Sequence, residues 1–148
     1  MGTTAYQKYQ QLLTKKLEQA FQQEQEIRAA ASFISTALKN QGWIYACGTG
    51  HSHMLAEEVF YRAGGFARVR PLLLPKLMLH ESATGSTDEE RKEGYAPILF
   101  QDYSISKNDV LLISSNSGRN AVPIELASYA REKGAKVIVI TNLAHSKS

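Results

Sequence analysis

Two short segments of this 148-residue chain carry side chains suited to holding an anion. One is Gly48-Thr49-Gly50-His51-Ser52-His53, and the other is Ser115-Asn116-Ser117-Gly118-Arg119-Asn120. Small residues let the backbone approach a ligand, and hydroxyls add donors. A loop that leads into a helix also offers free N–H groups at the positive end of the helix dipole. Either segment alone is equally explained by glycines that turn the chain and a serine that caps a helix. Two of them in one small chain favour a phosphate site. Nearby stand the residues that can move protons: His53, Glu57, Glu58, His80 and Glu81. His53 and Glu57 lie four apart and share a helix face, whereas Glu58 is turned away by roughly 100°. A surface pairing of Glu57 or Glu58 with Arg62 is the plain alternative.

The surrounding pattern says what positions these loops. From Ala5 to Asn40 there is no Gly or Pro, and Tyr6, Tyr9, Leu13, Leu17, Ala20, Ile27, Ala31, Ile34 and Leu38 recur by threes and fours. This predicts one long amphipathic helix, or two with a bend, ending at Gln41-Gly42. Such a helix would span roughly 54 Å, more than a small domain can cover, so part of it is expected to pack on a second copy. Beyond it come short apolar runs: Trp43 to Cys47, Val69 to Leu74, Val110 to Ser114 and Val137 to Thr141. Continuous aliphatic runs without polar alternation indicate strands covered on both faces, the signature of a parallel sheet. Helices are expected at Ser52 to Ala63, in the middle region Lys76 to Tyr103, and at Val122 to Lys133. Thr87-Asp88-Glu89-Glu90 reads as a capping box, with a loop over Ser82 to Ser86. The class is α/β, a parallel sheet flanked by helices, and the ligand site belongs at the carboxyl ends of the strands, where both loops fall.

Composition narrows the function classes. Apolar residues at 43% and charged residues at 21% are ordinary for a globular domain. A net charge of +3 suits small anions and falls short of a nucleic-acid footprint. No apolar run is long enough to span a membrane, and a single cysteine, Cys47, suggests a reducing cytoplasm. That cysteine, inside the first strand, reads as a small buried hydrophobe. A dinucleotide fingerprint would need glycine where His53 stands and an acid where Arg70 and Pro71 stand, so a nicotinamide-cofactor reading is the weakest.

Gly48-Thr49-Gly50-His51-Ser52 before a helix, then Ser115-Asn116-Ser117-Gly118-Arg119-Asn120, then Lys136-Val137-Ile138-Val139-Ile140-Thr141-Asn142, resembles the sugar isomerase (SIS) domain, a flavodoxin-like α/β fold. The resemblance runs from about Phe33 onward, giving residues 1–32 as an N-terminal helix and 33–148 as the SIS domain. It is most similar to a bacterial SIS family described as phosphoheptose isomerase-like. The resemblance implies a phosphorylated-sugar ligand in carbohydrate metabolism; the apolar side of the first helix and the Val137 to Thr141 edge, more than one small domain can cover, predict a homodimer or higher homo-oligomer. The phosphate would meet Gly50, Ser52, Ser115 and Ser117, with Asn116 and Asn120 alongside; Asn120 stands where the superfamily often has Thr. SIS domains usually have five parallel strands, and four candidates here leave the last strand and closing helix wanting.

Isomerisation beside a carbonyl needs a base for a C–H proton and an acid to return one. Glu81, ahead of the expected polar loop, is the first candidate, Glu57 the second, and His53 their companion. Phosphoheptose isomerases carry a His and a Glu four apart on this helix as metal ligands. There the pair begins six residues after the loop serine, whereas His53 follows Ser52 directly, so no metal or other cofactor is assigned. The leading expectation is a sugar-phosphate (aldose–ketose) isomerase. The alternatives are an N-acetylmuramic acid 6-phosphate etherase-like lyase and a non-catalytic sugar-phosphate sensor, which would keep the serine loops and need no acid–base pair.

Overall fold

The computed structural model describes residues 2–147; Met1 and Ser148, the outer ends of the two expected segments, lie outside the described residues. The chain divides into two compact units, residues 1–32 and 33–148. In the first, α1 (Ala5–Phe21) opens with a full capping box in which Thr4 and Gln7 satisfy each other's backbone. A break at Gln22 and Gln23 separates it from α2 (Glu24–Lys39), so the long periodic stretch is two helices. The break falls beside Glu24, where the apolar rhythm misses a beat. No residue of α1 is buried, and Tyr6, Tyr9 and Phe21 are each at least 70% exposed.

The second unit is built on four strands: β1 (Ile44–Gly48), β2 (Val69–Leu72), β3 (Val110–Ser114) and β4 (Lys136–Ile140). They form an all-parallel sheet in the order β2-β1-β3-β4, with Ile44 opposite both Val69 and Val110, and Val110 opposite Lys136. β1 is central and buried at every position. Side chains alternate across a strand, so Tyr45 and Cys47 pack on one face with Leu111, Ile113, Val122 and Leu126. Ile44 and Ala46 pack on the other with Ala56, Val69, Ile34 and Leu38. Both faces are covered, as the uninterrupted apolar runs require. Pro71 inside β2 is tolerated because β2 is an edge strand. β4 is the other edge, and Val139 and Ile140 are exposed there.

β1, β4 and the helix expected at Val122 to Lys133 are shifted by one residue, and three regions differ by more. The helix expected over Ser52 to Ala63 begins as a 3₁₀ turn at Gly50–Ser52, continues as α3 (His53–Val59), and stops four residues early. Phe60 is extended and Tyr61 adopts φ 45°; the aromatic pair and the following Gly64-Gly65 are weak helix formers. β2 ends at Leu72, and a 3₁₀ turn at Pro75–Leu77 follows. The expected loop over Ser82 to Ser86 is instead the start of α4 (Ala83–Glu89). Ser82 caps it by accepting from Gly85 N at 3.1 Å, and the Ser86 and Thr87 hydroxyls bond back to Ala83 O. Thr87, expected to open a helix, therefore lies inside one, and the irregular stretch falls at Glu90 to Gly94. Glu125 of α6 (Ala121–Glu132) then caps α5 (Tyr95–Leu99) by accepting from the N–H groups of Gly94 and Tyr95. A last turn, α7 (Leu143–Ser146), is capped by Asn142.

Candidate sugar-phosphate site

Both glycine- and serine-containing loops sit at the carboxyl ends of adjacent central strands, one after β1 and the other after β3. The first turns sharply because Gly48 allows it: a Cβ there would lie 2.4 Å from the Ser52 carbonyl oxygen. Ser52 N donates to Thr49 O at 3.0 Å, closing the turn. The Ser52 side chain makes no capping bond, so the simple cap reading does not hold and its half-buried hydroxyl is uncommitted. The Thr49 hydroxyl donates to Glu90 Oε2 at 2.6 Å. Beneath it, Cys47, Leu77, Ile113 and Val122 line a cavity of about 10 Å³, room for one water at most. Burial pushes the Cys47 thiol up to about 12, which makes it inert.

The second loop is anchored to β4. Ser115 N donates to Ile140 O, and Asn116 O accepts from Asn142 N and the Thr141 hydroxyl. Within the loop, Ser115 Oγ accepts from Gly118 N at 3.1 Å and Ser117 Oγ accepts from Arg119 N at 3.4 Å. Each hydroxyl uses a lone pair for the loop and keeps its proton for a ligand. Asn120 occupies the N-cap position of α6 but makes no side-chain cap, which leaves its amide available. In the first turn of α6, Val122 N donates to Glu90 O, and Pro123 has no N–H. Side-chain donors of Ser115, Ser117 and Asn120 are therefore more available here than the N–H groups of the helix end.

His53 is buried and its Nδ1–H donates to Gly50 O, which leaves Nε2 as the ring nitrogen toward Glu57. Nε2 lies 3.5 Å from Glu57 Oε1, and the His80 ring packs 5.4 Å from the His53 ring, centre to centre. The shared face of His53 and Glu57 read from the sequence is thus realised, with His80 added. Glu58 pairs with Arg62. Glu81 is exposed on the turn beside His80, and its carboxylate makes no bond among the described residues. Among those residues, no group of three or more His, Cys, Asp or Glu side chains is placed to hold a metal ion.

The profile of the SIS domain family matches residues 6–142. The chain belongs to the SIS domain family. The match takes in the N-terminal helices, which the sequence resemblance from Phe33 onward left out. A UPF0309 protein of Halalkalibacterium halodurans is 44% identical over all of this chain, which covers 58% of that protein. A UPF0309 protein of Listeria innocua is 49% identical over 82% of this chain and 49% of its own length. The chain thus spans about half the length of the curated relatives it matches. Among solved structures, phosphoheptose isomerase GmhA from Neisseria gonorrhoeae has the same fold. It superposes with a TM-score of 0.57 at 22% identity, covering 94% of this chain and 78% of that one.

Sequence reasoning missed one residue that the structure brings to the first loop. Glu90 is 41 positions from Thr49 and was legible only as part of a capping pattern. Nothing in its spacing announces a contact with the first loop; the short α4 brings it there.

Proposed function

We propose that this SIS domain binds a phosphorylated sugar between the loops after β1 and β3 and serves an aldose–ketose isomerase of carbohydrate metabolism. The observation that carries the reading is the second loop, where Ser115 and Ser117 are held by backbone N–H groups with their own protons free, beside an uncommitted Asn120. Such donors suit phosphate oxygens, and charge-assisted bonds of this kind are about twice as strong as neutral ones. Gly50, Ser52 and Asn116 complete the cradle. Proton transfer falls to the His53 and Glu57 pair, whose contact lets a proton pass between them. Glu81 is the second carboxylate of the reading, next in sequence to His80, whose ring packs on His53. The name of the GmhA neighbour agrees with this chemistry.

Residues 33–148 would then be the ligand-binding part, and residues 1–32 the means of assembly. Tyr6, Tyr9, Leu13, Leu17, Phe21 and Ile27 are exposed in the first unit, an apolar surface that a second copy would cover. We infer a homodimer or larger homo-oligomer in the cytoplasm. No helix among the described residues is long and apolar enough to cross a membrane.

Thermal stability across a panel of pentose, hexose and heptose phosphates, with NAD and NADP for contrast, tests the reading, because a bound ligand raises the melting temperature by mass action. A rise with one or more sugar phosphates and none with the dinucleotides is expected. A rise with the dinucleotides alone would overturn it. Light scattering that gives a monomer across micromolar concentrations would remove the assembly.

A further inference from the structure

The hydroxyls of the two loops are not all alike. Ser52, Ser115 and Ser117 keep their protons, whereas Thr49 gives its proton to Glu90 Oε2. Thr49 therefore presents lone pairs and repels an anion. The Glu90 carboxylate adds a negative charge at the same place, and like charges in a partly desolvated cleft oppose each other strongly. Glu90 is also fastened to the second loop's helix, since its carbonyl accepts from Val122 N at 3.2 Å. Its other carboxylate oxygen, Oε1, makes no hydrogen bond or ion pair among the described residues, and the residue is half-buried. Thus a half-satisfied carboxylate stands between two loops otherwise rich in donors.

We propose that Glu90 is a specificity-determining residue that reads the hydroxyl-bearing end of the ligand and fixes its orientation. This rests on the phosphosugar reading and deepens it. A phosphate is kept off the Thr49 hydroxyl itself and settles between Ser52 and the Ser115, Ser117 and Asn120 donors. The sugar chain then runs over the first loop, where its hydroxyls donate to Glu90 Oε1 and to the lone pairs of Thr49. A hydroxyl donating to a carboxylate forms a charge-assisted bond, and the site selects for it because the same oxygen is otherwise left to water. The ligand class is a phosphate ester of a polyhydroxylated chain. Phosphate esters of plain alcohols fit the phosphate cradle and lack what Glu90 recognises.

Titration calorimetry of the whole chain tests this with three probes: inorganic phosphate, propyl phosphate, and the sugar phosphate that raises its melting temperature most. The wild-type protein should prefer the sugar phosphate over propyl phosphate by about tenfold or more. Glu90→Gln should lose that preference while binding inorganic phosphate as well as the wild type or better, since a negative charge is gone. Thr49→Val should behave like Glu90→Gln, and Thr49→Ser like the wild type. Should Glu90→Gln fail to fold, by its unliganded melting temperature, the Thr49 pair carries the comparison. An equal loss of affinity for all three probes, or an unchanged preference, would overturn the proposal and leave the phosphosugar reading in place. A wild-type protein that binds no sugar phosphate would overturn both.

Discussion

At the amino ends of the strands the polar groups are fully engaged. Asp109 is buried, and its carboxylate accepts from Trp43 N at 2.7 Å, Ser106 N at 2.7 Å and the Ser106 hydroxyl at 2.9 Å. Arg70 lies 3.7 Å over the Trp43 ring, and Arg68 donates to the carbonyls of Gln41 and Gly42 in the turn after α2. At the carboxyl ends, Ser52, Asn120 and one oxygen of Glu90 have no partner among the described residues, and Ser115 and Ser117 hold protons in reserve. Both ends contain aspartate or glutamate, serine and asparagine. The difference is whether those groups are satisfied by the protein, and unsatisfied polar groups grouped in a cleft are what a ligand completes.

The largest effect expected from breaking this contrast is at the amino end. Asp109→Ala leaves the part-buried Trp43 N–H and the N–H and hydroxyl of Ser106 without their acceptor and should cost about 2 kcal/mol of stability. Denaturant unfolding measures it, and ligand affinity per folded molecule should be unchanged. At the carboxyl end the balance reverses. Glu57→Gln and Glu81→Gln should each leave the melting temperature within a few degrees, because both side chains are exposed. In the protein as an isomerase, each should lower turnover by about a hundredfold with binding largely kept. His53→Ala should cost less in turnover and more in stability, since His53 is buried and holds Gly50 O. Wild-type turnover in both Gln variants would remove the acid–base assignment.

A smaller effect sharpens the comparison within the core below the loops. Cys47 is raised from 9.0 to about 12 by burial, and Tyr95 from 10.0 to about 12, first by its hydrogen bond to Glu89 and then by burial. A raised pKa means the folded form holds its proton more tightly. The stability each contributes is therefore complete below pH 9 and 10 respectively, and is lost as pH rises toward 12. The same Tyr95 bond, second to Lys92, lowers Glu89, whose contribution is present above its ordinary value and fades as pH falls. The melting temperature should drop between pH 9 and 12, and Cys47→Ala should flatten the drop. Native protein at pH 8 should resist alkylation at Cys47; rapid labelling would show that the thiol is reachable.

How much of this the sequence shows follows from the kind of interaction involved. β1 and β3 are legible because burial on both faces leaves continuous apolar runs, and Val110 to Ser114 is read without error; β4 carries the same kind of run, but the two-sided cover expected of it is not met, since no residue of that edge strand is buried. The loops are legible because they must follow those strands. The middle region is not, because α4 is held by Ser82 capping and by serine and threonine bonding back to the helix, from residues that equally suit a loop. The register that brings Glu90 onto Thr49 depends on that short helix and leaves no periodic trace. Glu81 ranked first from its position beside an expected loop; with that loop helical, the His53 and Glu57 contact is the better-supported half of the pair.

The central claim is that the carboxyl-end loops take a phosphorylated sugar through hydroxyls the fold leaves free. Calorimetric titration of the wild type and the Ser115→Ala, Ser117→Ala double variant with the best sugar phosphate tests it most directly. Each lost charge-assisted bond should cost about 1.5 to 3 kcal/mol of affinity, so the double variant should bind at least a hundredfold more weakly, while the lost loop bonds to Gly118 N and Arg119 N lower the melting temperature by only a few degrees. Equal affinity in the two proteins, with the fold intact, would contradict the account.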